Sequence, residues 1–94
     1  MKEDPAAPAL SQEIVLTFPN VQNALRGEQA LLDSGLAVRI MSRPAALGEG
    51  CGICLRINVD EYDAVRESLQ DAAVLLEAAH LKEQGKNGTA YTQL

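Results

Sequence analysis

Apolar residues first alternate along the chain at Ile14, Leu16 and Phe18, with Glu13, Val15 and Thr17 between them. That period of two predicts a short strand with one strongly apolar face. Pro19-Asn20 ends the strand and opens a helix, because asparagine is among the residues that satisfy free N–H groups at a helix start. Val21, Ala24, Leu25, Leu31 and Leu32 recur at near-helical spacing and predict one buried side, and Gly35 supplies the stop. Alternation resumes at Leu36, Val38 and Ile40, with Ala37, Arg39 and Met41 on the other face of a second strand. Residues 42–50 contain Pro44, Gly48 and Gly50 and read as a loop, and a third strand then runs from about Cys51 to Asn58. Asp60 is placed to cap a second helix, whose Tyr62, Val65 and Leu69 form its stripe. Residues 74–78 predict a fourth strand; since Asp71-Ala72-Ala73 holds no breaker, a helix continuing from Asp60 to about Gln84 is the alternative.

The order strand–helix–strand–strand–helix–strand predicts an α+β fold, a ferredoxin-like βαββαβ sandwich with an antiparallel sheet and two helices on one face. Residues 1–12 lack periodicity and read as a disordered leader, 13–80 as the folded domain, and 81–94 as a polar C-terminal tail, frayed at its end.

Composition narrows the function more than the fold. With 94 residues, 47% of them hydrophobic and 22% charged, the chain fits one small domain. Phe18, Tyr62 and Tyr91 are its only aromatics, so the core is aliphatic and no stacking platform for single-stranded nucleic acid is present. A net charge of −5 also opposes binding to a phosphate backbone. No apolar run approaches the roughly 20 residues of a membrane span, and no apolar region follows Met1-Lys2-Glu3-Asp4-Pro5 as in a secretory signal. The expectation is a cytoplasmic protein with reduced thiols, without nucleic-acid or membrane partners.

The only cysteines lie in Gly50-Cys51-Gly52-Ile53-Cys54-Leu55-Arg56. Gly50 and Gly52 leave Cys51 unshielded by neighbouring side chains and read as loop-presenting residues. Strand periodicity puts Ile53, Leu55 and Ile57 beneath the helices, and Gly52, Cys54 and Arg56 on the open face with Arg39. Cations favour thiolate over thiol, so Arg39, Arg56 and, from the loop, Arg43 are candidate thiolate-stabilising groups. The predicted topology also brings Cys51 towards Asn20 and the positive end of the first helix. Cys51 and Cys54 are therefore the candidate catalytic thiols. Residues i and i+3 of a strand project to opposite faces, so a disulfide between them requires the strand to begin after Cys51. His80 with two cysteines offers three metal ligands, whereas a closed zinc site takes four, so no metal is expected.

Ile14-Val15-Leu16-Thr17-Phe18, Gly35-Leu36-Ala37-Val38-Arg39 and the Gly50–Arg56 run together resemble the selenium/sulfur carrier protein-like family, over roughly residues 13–79. The resemblance implies a small protein that holds sulfur or selenium on Cys51, as a persulfide or selenium adduct, and hands it to a partner enzyme. It implies no cofactor beyond that covalent cargo, and donor and acceptor proteins as partners. Cys54 occupies a position where the family also accepts alanine. The residues leave two other readings open: a small thiol oxidoreductase, and a regulatory or interaction module using the open sheet face. That face or a free edge strand leaves a homodimer open as well.

Overall fold

The computed structural model describes residues 12–48, 50, 52–85 and 88–94. Strand β1 (Glu13–Thr17) leads into helix α1 (Val21–Asp33), strand β2 (Arg39–Ser42), a 3-10 turn (Ala45–Leu47) and strand β3 (Ile53–Asn58). A second 3-10 turn (Val59–Glu61) precedes helix α2 (Tyr62–Asp71), and strands β4 (Ala78–Gly85) and β5 (Gly88–Gln93) close the chain. The sheet order is β2-β3-β1-β4-β5, with antiparallel pairing throughout. The architecture is thus a mixed α/β domain: a five-stranded open antiparallel sheet with two helices. The sheet has five strands where the expected ferredoxin-like sandwich has four.

The core follows the period-two pattern of β1. Ile14, Leu16 and Phe18 are buried against Ala24 and Leu31 of α1, Val65 and Leu69 of α2, and Leu55 and Ile57 of β3. Each such side chain contributes about 1.5–3 kcal/mol when withdrawn from water. Phe18 is the largest of the fully buried side chains. Gly27 lets α1 settle onto it: a methyl group there would lie 3.2 Å from Phe18 Cε2 and Cζ. This close approach splits the stripe expected on α1. Ala24, Gly27 and Leu31 face the core, while Val21, Leu25 and Leu32 are about half exposed.

Asn20 does cap α1: its Oδ1 accepts from the Asn23 backbone N–H at 2.8 Å. At the other end Gly35 takes φ +77°, with Leu36 N–H donating to Leu31 O and Gly35 N–H to Leu32 O. Asp60 does not cap α2. It lies inside the 3-10 turn, and Glu61 occupies the cap position without a side-chain bond to the helix.

The second helix stops at Asp71, which removes the alternative of a helix to Gln84. Ala73 adopts a left-handed φ of +56°, with Val74 N–H donating to Leu69 O and Ala73 N–H to Gln70 O. The same reversal that Gly35 provides for α1 is therefore made here by an alanine, at a steric cost of about 1 kcal/mol.

The fourth strand is Ala78–Gly85 instead of 74–78, and the expected polar tail supplies more than half of it and all of β5. The β4–β5 pairing continues to Gly85↔Gly88. Gln12, assigned to the leader, is tied to the domain through Val59 N–H donating to its carbonyl at 3.2 Å. The remaining leader residues lie outside the described ones.

Candidate functional site

The face of the sheet away from the helices can be laid out from the register. One row runs Met41–Cys54–Thr17–Ala78 across β2, β3, β1 and β4. The next row runs Arg39–Arg56–Val15–His80, continuing to Gln93 of β5. The last row runs Asn58–Glu13–Lys82–Tyr91. Cys54, Arg56 and Arg39 therefore share a face, with Cys54 one row from both arginines.

That face is less open than its composition implies. Val15, Thr17 and Cys54 are each 0% exposed. Thr17 is satisfied there by donating its hydroxyl to Ala78 O at 3.3 Å.

Beyond the Cys54 row, the chain between β2 and β3 forms a loop that Arg43 organises. Its backbone N–H donates to Gly52 O at 3.0 Å, extending the β2–β3 ladder by one rung. Its guanidinium turns into the loop, where Nη2 donates to Leu47 O at 2.8 Å and Nε to Gly48 O at 3.1 Å. Nη1 then reaches Glu77 Oε1 at 3.2 Å, just before β4. Since β3 and β1 lie between β2 and β4, this single side chain ties the loop across the sheet to the far strand. The Arg43 side chain is only 10% exposed. The loop also turns through left-handed glycines, Gly48 at φ +82° and Gly50 at φ +150°, where any side chain would be strained. A methyl on Gly50 would lie 3.0 Å from Arg43 Nη1, so the guanidinium packs directly on the residue that precedes Cys51.

Cys51 itself lies outside the described residues. Strand β3 opens at Ile53, two positions later, instead of at Cys51. Gly52 is exposed. The register Thr17↔Cys54 runs towards Pro19-Asn20 on one strand and Gly52 on the other, so the start of α1 and the entry to β3 occupy the same end of the sheet. Asn20 directs its side chain to Asn23, both to its backbone N–H and, at 3.0 Å, to its Nδ2. Arg56 is engaged by Glu13, Nε to Oε2 at 3.2 Å. Arg39 is exposed on the edge strand. Of the cations named from sequence, the structure brings Arg43 to the Gly-Cys-Gly segment and leaves Arg39 and Arg56 a row beyond Cys54.

Two residues join the site that the sequence did not nominate for it. Glu77 anchors the Arg43 guanidinium. His80, considered only as a metal ligand, sits half-buried on the same face. Burial lowers its pKa first, the Arg43 charge lowers it further, and Glu77 acts in the opposite direction. The imidazole is thereby favoured in its neutral form. Among the described residues, no group of three or more His, Cys, Asp or Glu side chains could hold a metal ion. No described helix is long and apolar enough to cross a membrane.

Gly50 and Gly52 are exposed, and the Arg43 guanidinium lies against Gly50, so a positive charge sits at this segment. No curated protein and no solved structure matches the chain. Residues 13–81, from the first residue of β1 into the middle of β4, match the family model described as Putative Se/S carrier protein-like. The chain belongs to that Se/S carrier protein-like family.

Proposed function

We propose that this protein is a cytoplasmic carrier that takes up sulfur or selenium on Cys51 and delivers it to an acceptor enzyme. The observation that carries this reading is the family match over residues 13–81, which spans the whole Gly-Cys-Gly segment. With a persulfide-bearing donor, the Cys51 thiolate attacks the outer sulfur. A new S–S bond forms on Cys51, the donor's own S–S bond breaks, and the donor leaves as a thiolate that takes up a proton. Delivery to an acceptor thiol repeats the exchange in the other direction. The selenium case is the same displacement with selenium as the transferred atom.

In this reading Arg43 supplies the positive charge beside the loop and fixes its shape through the Leu47 and Gly48 carbonyls. Cys54, fully buried in β3, does not meet donors from solution and serves chiefly in packing. The β1-α1-β2-β3-α2-β4 order supports treating the domain as a ferredoxin-like unit with β5 added at the β4 edge. The test is persulfide-selective labelling after incubation with a low-molecular-weight persulfide donor. Wild-type and Cys54→Ser protein are expected to label and to pass the label to an acceptor thiol. Labelling that persists in Cys51→Ser would overturn the assignment.

A further inference from the structure

The middle row of the open face breaks a rule of sheet construction. Arg39 of β2 and Arg56 of β3 stand directly opposite one another. Like charges at directly opposed positions destabilise a strand pair. Glu13 relieves only part of this, because the same carboxylate holds Arg56 through Oε2 at 3.2 Å and Lys82 through Oε1 at 3.6 Å. Arg39 makes no ion pair among the described residues. Among the described residues of this face, Arg39, Arg56 and Lys82 thus stand with the one carboxylate of Glu13, on a chain whose net charge is −5. A positive surplus on an acidic protein attracts anions to that place.

The surface also sinks here. A depression of about 430 Å³ is lined by Arg39, Arg56, Glu13 and Asn58, together with Ala37 and Val38, and its walls are mostly polar. Its volume falls within the range of small-molecule sites, roughly 300–1,000 Å³, and exceeds what a bare inorganic ion fills. Two guanidinium groups and the Asn58 side chain offer several N–H donors, the arrangement by which arginine binds phosphate-type oxyanions.

We infer that the Arg39–Arg56–Asn58 depression is a binding site for a small organic molecule bearing a phosphate- or sulfate-type group. The group sits between the two guanidiniums, and the remaining volume takes the attached organic part. This inference is independent of the carrier reading, since it uses no cysteine and lies a row or more from Cys54.

The test is amide NMR titration of the full chain at low ionic strength with three probes: inorganic phosphate, inorganic sulfate and phenyl phosphate. Saturable shifts centred on Arg39, Arg56 and Asn58 are expected, with phenyl phosphate binding tighter than inorganic phosphate because it occupies more of the depression. The phosphate and sulfate arms distinguish the two oxyanion classes. Arg39→Ala, on an exposed edge position, should weaken binding by about tenfold or more. Glu13→Gln should strengthen it severalfold by releasing Arg56 and removing the one carboxylate among the described lining residues. Arg66→Ala removes an equal charge from α2, where that guanidinium lies over Tyr62, and should leave binding unchanged. Shifts that fail to saturate, that spread over the chain, or that weaken equally in Arg39→Ala and Arg66→Ala would overturn the site, as would weaker binding in Glu13→Gln.

Discussion

Replacing Arg43 by alanine separates two ways of holding the loop between β2 and β3. The guanidinium makes two bonds to loop carbonyls, at 2.8 Å and 3.1 Å, and one ion pair to Glu77 at 3.2 Å. Hydrogen bonds from a charged donor contribute about 1.5–3 kcal/mol each when both partners are shielded. Only the Leu47 carbonyl is partly buried, and Gly48 is exposed, so the two together are worth about 2–3 kcal/mol. Glu77 is 44% exposed, which reduces the ion pair to about 0–1 kcal/mol after solvent screening. Arg43→Ala should therefore cost about 2–3 kcal/mol and Glu77→Gln less than about 1 kcal/mol. Arg43→Lys should fall between them, because one ammonium can serve Glu77 but cannot fork onto two carbonyls. Urea unfolding followed by far-UV circular dichroism reads all three. With a denaturant slope of about 1 kcal/mol per molar, Arg43→Ala moves the midpoint by about 2–3 M. A Glu77→Gln loss as large as that of Arg43→Ala would show that the ion pair, not the carbonyl clamp, fixes the loop.

Other consequences concern stability and pH. Ala73→Gly should stabilise the fold by about 1 kcal/mol, raising Tm by about 4–8 °C, because glycine accepts the left-handed φ of +56° that alanine resists. Phe18→Ala should cost about 3–5 kcal/mol in the same unfolding assay, since a fully buried ring is lost under Gly27. His80 has a pKa lowered by burial first and by Arg43 second, so the unfolded chain binds its proton more readily. The stability it contributes is complete above pH 6.5, the ordinary value, and is lost as pH falls through the lower folded value. His80→Gln should flatten that acid-side slope, and Glu77→Gln should move the His80 titration, read from its ring protons by NMR, further down.

Much of this molecule is legible in the alternation of its strands. Ile14, Leu16 and Phe18 give the buried face of β1, and Ile53, Leu55 and Ile57 the helix-facing side of β3, because a period of two leaves no choice once one face is apolar. The placement of Arg39, Arg56 and Cys54 on one face follows from the same rule. The C-terminal third was harder to read for two local reasons. Ala73 ends α2 in a conformation that glycine normally signals, so nothing in Asp71-Ala72-Ala73 announces a stop. The β4–β5 hairpin exposes one polar edge, so Lys82, Glu83 and Gln84 look like tail. Glu77 was out of reach for a different reason. Its partner lies 34 positions earlier, across two intervening strands, and only the assembled register brings them together.

The central claim is that Cys51 carries the cargo. Native mass spectrometry of freshly purified protein under non-reducing conditions, before and after addition of a persulfide or selenium donor, tests it directly. The account predicts an adduct of sulfur or selenium that reductant removes, that survives in Cys54→Ser and that vanishes in Cys51→Ser. Wild-type protein that stays unmodified by either donor, or an adduct that persists in Cys51→Ser, would contradict it.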